Sequence, residues 1–473
     1  MQLFWHRQDL RVADNVGLAA AAAEGPVVPA FVFDRAVLDR AGAPRVRYML
    51  DALAELRAAY RDRGSDLVVA RGDPREVLPE LATAHDADRV VWNVEYSGLA
   101  RERDDDVGTA LSKVGVDHES FHDDVHHEPG TITTNAGDPY SVFTYFGRKW
   151  HDREKEDPYD APTEAQLLAA DDVAVDAVDL PTIEELGFSE PAADVQDAGT
   201  APARERLAAF CDGPVERYED RRDFPADDNT SRLSADLSFG TIGVREVYEE
   251  TEAAKLAATD EAAVDSITEF QEQLAWREFY TQVLYHNPEV VTENYKEYEN
   301  EIQWRDDETE LAAWKAGETG YPIVDAGMRQ LKREAFMHNR VRMIVASFLT
   351  KDLLVDWRAG YHHFREHLAD HDTANNNGGW QWAASTGTDA QPYFRIFNPM
   401  KQGADYDPDA EYISEYVPEL DGVPPEKVHS WHELGYNERE RLAPAYPHPI
   451  VDHSERREEA LAMFERARGE ADD

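Results

Sequence analysis

The chain has 473 residues, 42% hydrophobic and 30% charged, enough apolar material for two or three buried cores and too much for general disorder. Acidic residues outnumber basic ones 96 to 48, a formal net charge of −48, and only ten of the 48 are Lys. Such a surface suits molar salt, where the Debye length falls to about 3 Å and carboxylate self-repulsion is screened. The single cysteine, Cys211, excludes a disulfide framework and any thiolate-bound zinc or iron–sulfur cluster.

The first strand is predicted at Gln2 to Trp5, in an N-terminus that mixes Trp5, Arg7 and Asp9 and does not have the form of a signal peptide. Further strands are predicted at Val27 to Phe33, Asp66 to Val69 and Arg89 to Trp92, and a helix over Val46 to Tyr60, where Met49, Leu50, Leu53 and Leu56 recur at helical spacing. This alternation predicts a Rossmann-like α/β domain with a parallel sheet over residues 1–130. Neither G-x-G-x-x-G nor G-x-x-x-x-G-K-[ST] occurs, so the ordinary phosphate loops are absent. From Asp152 to about Ala203 the chain is rich in Asp, Glu, Ala and Pro, with weak apolar periodicity at Val173, Val175, Val178 and Leu180, and an interdomain linker is predicted over 131–203. From 204 to 473, aromatic-rich segments at helical spacing predict an all-α domain. The longest apolar runs, such as Leu18 to Ala23 and Val341 to Leu349, fall well below the roughly 20 residues a bilayer requires, so a soluble, cytoplasmic protein is expected.

Chemistry concentrates in the helical part. The segment Asp370 to Asn398 holds Asp370, Asp372, Asn375 to Asn377, Gly378, Gly379, Trp380 and Trp382, then Ser385 to Thr388. So many polar groups do not suit a core helix, and two Trp beside a Gly pair suit a flat aromatic ligand better than a solvated loop. His367 and His371, four apart beside Asp370 and Asp372, raise the question of a metal; surface pairing explains them better, and no metal is expected. His122, His126 and His127 read as a solvated helix end. Thr230 to Ser234, after Tyr218, Arg221 and Arg222, suits either a phosphate site or a plain N-cap. Gln273, Trp276, Arg277 and Tyr280 share one helix face that is too polar for a core. Asn339 and Met343 lie one turn apart, with Arg340 and Arg342 beside them as anion partners; alone, this segment also reads as an amphipathic surface helix.

These residues carry a family resemblance over nearly the whole chain. NNGGWQWAASTGTDAQPYFRIFNP (376–399), GYPIVDAGMRQL (320–331), MHNRVRMIVASFLTKDLLVDW (337–357), WREFY (276–280), TSRLS (230–234), YSVFTYF (140–146) and WHRQDLRVADN (5–15) resemble the photolyase and cryptochrome family, in order. The match is most like a class I cyclobutane pyrimidine dimer photolyase of a halophilic archaeon. The resemblance implies an N-terminal antenna domain and a helical domain holding a U-shaped FAD. Matched position by position, Tyr218, Thr230, Ser231, Leu233 and Ser234 would hold the phosphates and ribityl chain, with Arg342, Asp370, Asp372 and Asn376 around the isoalloxazine. Asn376 would face flavin N5, where an amide adds no charge beside a reduced anionic flavin; plant cryptochromes carry aspartate there. Excited reduced flavin would pass an electron to a flipped-out pyrimidine dimer in DNA, and the protein's task would be geometric. Trp276 and Trp382 would wall the dimer pocket, Asn339, Arg340 and Met343 would touch the lesion and its backbone, Arg222 would bind phosphate, and Trp380, Trp357 and Trp304 would relay electrons from the surface.

One position departs from the pattern: Gln273 stands where cyclobutane photolyases usually have Glu, and Gln is usual in (6-4) photolyases and animal cryptochromes. The (6-4) enzymes need a histidine pair, whereas only His338 is present here, so the cyclobutane dimer is the first expectation. A small neutral or basic patch around Arg222, Arg340 and Arg395 is expected on the acidic surface. Asn93 and Glu95, after the strand ending at Trp92, would hold the antenna, a folate or an 8-hydroxy-5-deazaflavin, unless that site is empty. Damaged DNA is the expected partner of a monomer with no obligate protein partner. A cryptochrome-type photoreceptor and a flavin redox protein are the alternatives.

Overall fold

The computed structural model describes residues 1–173, 178–227 and 229–470; Val175 and the last three residues of the chain lie outside them. Five parallel strands form one sheet: β1 (Gln2–His6), β2 (Val27–Phe33), β3 (Val68–Arg71), β4 (Arg89–Asn93) and β5 (Asp117–Phe121), in the order β3-β2-β1-β4-β5. The helices α1 (Val16–Glu24), α2 (Ala43–Arg61), α3 (Pro74–Ala84) and α4 (Gly98–Val114) make the crossovers. Strands β1 and β2 are buried throughout because helices cover both faces of the sheet. The third strand starts two residues later than expected, since the Asp66 carboxylate is held by Arg57 at 2.7 Å and Arg61 at 3.1 Å. The fifth strand, DHESF, was not anticipated: it is a mostly exposed edge strand, and its polar sequence carries no hydrophobic signal.

The order of strands reverses between β1 and β4, and the loops that leave them diverge there. A cleft at this point is lined by Gln8, Asp9, Glu95 and Tyr96 on one side and by Thr281, Asp372 and Thr373 from the helical part on the other.

The stretch expected as a linker is packed along much of its length. Helix α5 (Phe143–Asp152) places Phe143, Phe146 and Trp150 in the core of the helical part, together with Leu207 of α6 (Thr200–Cys211). Leu167, Ile183 and Leu186 return to the core of the sheet domain. Its apolar residues are few, and several of them, though not Val178, are anchored; acidic composition reported the outer surface and not the path of the chain.

The imidazoles of His126 and His127 are likewise not solvated. They lie against Trp150, and their backbone N–H groups donate to Glu278 at 2.8 and 3.2 Å. Burial pushes the Glu278 carboxyl up to about 7, against the opposing pull of Trp150 and these amides, which donate to it. A buried network joins the two halves: Arg11 and Arg245 both bind Asp123, and Arg245 also binds Asp14 at 2.5 Å.

The helical part is built on α7 (Val244–Ala257), α8 (Glu261–His286), α9 (Glu308–Ala316), α10 (Pro322–Glu334), α11 (Asn339–Ser347), α12 (Trp357–His367), α13 (Thr373–Ala384) and α14 (His453–Ala467). Its main core joins Trp314, Tyr321, Phe348, Trp357, Phe364 and Trp380. No helix among the described residues is long and apolar enough to cross a membrane.

Candidate functional site

The loop between α12 and α13 brings the site together. Asp372 caps α13, accepting from the Asn375 N–H at 2.7 Å. Buried Asp370 accepts from Arg342 Nη2 at 2.6 Å, and its other oxygen, Oδ1, has no partner among the described residues. The Arg342 guanidinium is fixed in turn by the carbonyl of Met337 at 2.7 Å.

Asn376, on α13, donates through Nδ2 to His371 Nδ1 at 3.1 Å. This polarity follows from the charge state of His371: burial, then Arg45, Arg365 and Arg342, hold it well below its ordinary range, so the ring is neutral and accepts. The two histidines weighed as a pair, His367 and His371, do not share a helix face, because α12 ends at His367 and Leu368 is extended.

Arg45 and Arg365 were not singled out by sequence. Both donate to the carbonyl of Arg40, at 2.6 and 2.9 Å, and neither pairs with a carboxylate among the described residues. Burial and the nearby Arg365 pull Arg45 down to about 10. In a chain with two acids per base, this is a patch of uncompensated positive charge, and one half of it comes from α2 of the sheet domain.

Thr230 does not cap a helix. The next helix starts at Ser234 with Leu233 at the cap position and no side-chain cap bond. Leu233 is anchored in the core, Ser231 Oγ accepts only a long bond from the Leu233 N–H at 3.4 Å, and the hydroxyls of Thr230 and Ser234 have no partner among the described residues. Tyr218 packs edge-on to Phe210 and Phe270, and burial pushes its phenol up to about 12.

The polar face of α8 divides. Trp276 stacks on Phe143 at 3.7 Å, Gln273 Nε2 donates to Glu269 Oε1 at 3.1 Å, and Tyr280 lies so close to Gly378 that a Cβ there would sit 2.2 Å from its ring. Arg277 turns away, donating to Asp124 and to the carbonyl of Leu237, and belongs to the contact between the two halves.

Nearby cations are already paired: Arg222 with Glu269 at 2.6 Å, Arg340 with Asp223 at 2.6 Å and Arg221 with Asp227 at 2.5 Å. Of the expected basic patch, Arg222 and Arg340 are therefore neutralised, whereas Arg395 enters no ion pair among the described residues. Asn339 is exposed, its Nδ2 4.0 Å from Met343 Sδ, and half-buried Trp382 lies beside Phe397.

Trp380 is 2% exposed and Trp357 0%, whereas Trp304 is half-buried, the gradient that a path to the surface requires. Their aromatic neighbours differ: Trp380 meets Trp314 at 6.0 Å and Phe364 at 5.0 Å, Trp357 meets Tyr361, and Trp304 meets Phe464. Fully buried Trp314, which sequence did not single out, is thus the indole in edge contact with Trp380.

The residues expected to hold an antenna are engaged elsewhere. Asn93 Nδ2 donates to Asp9 at 2.5 Å and Asn15 at 2.8 Å, and its Oδ1 accepts from the Gly17 N–H at 3.0 Å. Glu95 binds Arg103 at 2.8 Å and lies 3.9 Å from Arg7. Asn93 thus ties the β1 and β4 loops to the start of α1, and of the two only Glu95 keeps a partly exposed carboxylate.

Residues 270–466 match the family described as the FAD binding domain of DNA photolyase, and residues 2–165 the family described as DNA photolyase. The deoxyribodipyrimidine photo-lyase of Halobacterium salinarum is 64% identical over 99% of this chain and 100% of its own length. The chain belongs to the DNA photolyase family. A class III photolyase from Agrobacterium tumefaciens superposes with a TM-score of 0.91 at 37% identity, covering 99% of this chain and 98% of its own. An archaeal photolyase from Sulfolobus tokodaii, described with two FAD molecules, does so with a TM-score of 0.85 at 32% identity, covering 98% and 99%.

The cofactor of this photolyase-family chain is FAD. The residues present suit it: two unpaired guanidiniums for an anionic group, an orphaned Asp370 oxygen, a partnerless indole N–H on Trp380, and unengaged hydroxyls at Thr230 and Ser234.

Proposed function

We propose that this chain is a light-driven deoxyribodipyrimidine photo-lyase that reverses cyclobutane pyrimidine dimers in DNA, acting as a monomer in a salt-rich cytoplasm. When bound, reduced FAD supplies a photoexcited electron that opens the cyclobutane ring and is then recovered. The roles of the chain's own residues follow from their environments. Thr230, Ser231 and Ser234 offer hydroxyls to the diphosphate and ribityl chain, and Tyr218 and Leu233 close the apolar wall behind them. Arg342 and Asp370 form a fixed ion pair at the ring, and Asp372 orients α13.

Asn376 is the observation that carries the reading. Neutral His371 takes one amide proton and the Tyr361 carbonyl accepts from the same nitrogen at 3.4 Å, leaving the Asn376 oxygen uncommitted beside a positively charged cluster, an environment that favours an anionic reduced ring without delivering a proton to it. On the substrate side, Trp276 is held flat by Phe143, and half-buried Trp382, packed against the helical core beside Phe397, offers its exposed part to sandwich a flipped base, a dry apolar contact that excludes water. Gln273, Asn339 and Met343 contact the lesion, and Arg222 and Arg340 bind flanking phosphates after release from Glu269 and Asp223.

A (6-4) reaction is disfavoured by His338. It caps α11, accepting from the Arg340 N–H at 3.2 Å, and burial holds it neutral down to about 4, so it is not an acid at neutral pH. For the antenna, Glu95 supports a pigment with hydrogen-bond donors in the interdomain cleft, where folate, deazaflavin and a second flavin remain the candidates by chemistry.

The test is repair of dimer-containing oligonucleotide under blue light in molar KCl with reduced flavin, measured as intact thymine recovered. Recovery that needs light and is absent in the dark supports the proposal; no recovery with fully reduced flavin leaves the photoreceptor reading.

A further inference from the structure

One helix face outside the repair site gathers metal-ligating side chains that the repair chemistry does not use. On α12, His363, Glu366 and His367 follow an i, i+3, i+4 spacing that aligns three side chains. One ligand atom from each lies within 4.8 Å of the other two, the only such trio among the described residues.

Spacing alone would not distinguish this from a surface pair; the state of each side chain does. His363 is 8% exposed, yet no group among the described residues hydrogen-bonds its ring nitrogens. Trp314, edge-on at 5.5 Å, supports one side of its ring. His367 Nδ1 bonds the carbonyl of His363 at 3.0 Å, which fixes that nitrogen as the donor and leaves Nε2 with a free lone pair. The Glu366 carboxylate is exposed and enters no ion pair among the described residues, on a surface where many carboxylates are paired.

We propose that His363, Glu366 and His367 bind one divalent transition-metal ion of the zinc type, with water completing its shell. Two imidazoles and a carboxylate suit Zn²⁺, and Cu²⁺ or Ni²⁺ as probes, whereas Mg²⁺ and Ca²⁺ require oxygen donors. The location gives such an ion a structural consequence. The end of α12 touches the sheet domain, where a Cβ on Gly42 would lie 1.9 Å from the Glu366 carbonyl oxygen and Arg365 donates to Arg40, and it leads directly into the loop of Asp370 and His371. A bound ion would pin that junction.

The test uses the FAD-loaded full chain, stripped of metal, in molar KCl so that its many carboxylates are screened. Zn²⁺ alone is titrated by calorimetry, and Cu²⁺ alone is added for electron paramagnetic resonance. The expected result is one tight ion per chain with nitrogen couplings from two imidazoles, weakened at least about tenfold by His367→Ala and also by Glu366→Gln. Both altered side chains reach solvent, so these variants should keep the fold. Binding that is unchanged in His367→Ala, or a copper spectrum showing oxygen ligands only, overturns the proposal. Neither readout depends on repair activity, so this proposal and the functional reading fail separately.

Discussion

Arg340 donates to the carboxylate of Asp223 at 2.6 Å, and its guanidinium also lies over the ring of Tyr406 at 4.3 Å. A side chain expected to hold a DNA phosphate is thus already holding a carboxylate that imitates one. Arg222 stands in the same relation to Glu269. If these two side chains meet the DNA backbone as proposed, binding would exchange carboxylate for phosphate, and the release of counterions that normally drives association would be reduced.

Asp223→Asn is expected to tighten binding of undamaged duplex by roughly threefold to tenfold at moderate salt and to steepen its salt dependence. Fluorescence anisotropy across a KCl series checks this. An unchanged slope would mean that Arg340 does not meet the backbone.

Asn376→Asp is expected to invert the bond to His371, since a carboxylate accepts where the amide donates, and to charge the ring by raising its proton affinity. Repair yield with reduced flavin should fall by on the order of tenfold near neutral pH, with retained folding by circular dichroism. The measurement is thymine recovered per absorbed photon.

Gly360→Ala tests the seat of Trp380, because a Cβ at 360 would lie 2.0 Å from the indole. Overpacking there should cost about 1–3 kcal/mol and displace the ring. Photoreduction of oxidised flavin should slow, as it should in Trp380→Phe, whereas repair with chemically reduced flavin should survive in the Phe variant.

Glu278 predicts a pH dependence of stability. Burial raises its folded pKa from 4.5 to about 7, so between those values the folded state keeps a proton that the unfolded chain has released. Stability from this group is fully present below about 4.5 and is lost as pH rises to about 7, by up to roughly 3 kcal/mol. Glu278→Gln should flatten the denaturation midpoint across that window relative to the parent chain. His127, held near 4 by burial, contributes the opposite slope below 6.5, and it is common to both proteins.

Strands β1 and β2 were legible because their residues are apolar on both faces, and β5 was not because an edge strand can be written in polar letters. Motifs located Asp370, Asn376 and Trp380, since local sequence carries them. Arg45 escaped notice because its partner in the site, Arg365, is remote in sequence and only the tertiary fold joins them. Helical periodicity grouped Gln273 with Arg277, but a long side chain reaches past its own face, and Arg277 found Asp124 across the domain contact. Acidic composition suggested a loose connection over 131–203, and a handful of buried apolar side chains decided otherwise.

Arg45 of the sheet domain and Arg365 of the helical part reach the same backbone oxygen. Like charges held together this way repel until an anion settles among them, so loading the coenzyme would act as a latch that draws the two lobes shut. Stripped protein should scatter X-rays as a looser, more extended particle than the yellow form, most visibly in dilute buffer, where little salt is present to quiet the repulsion.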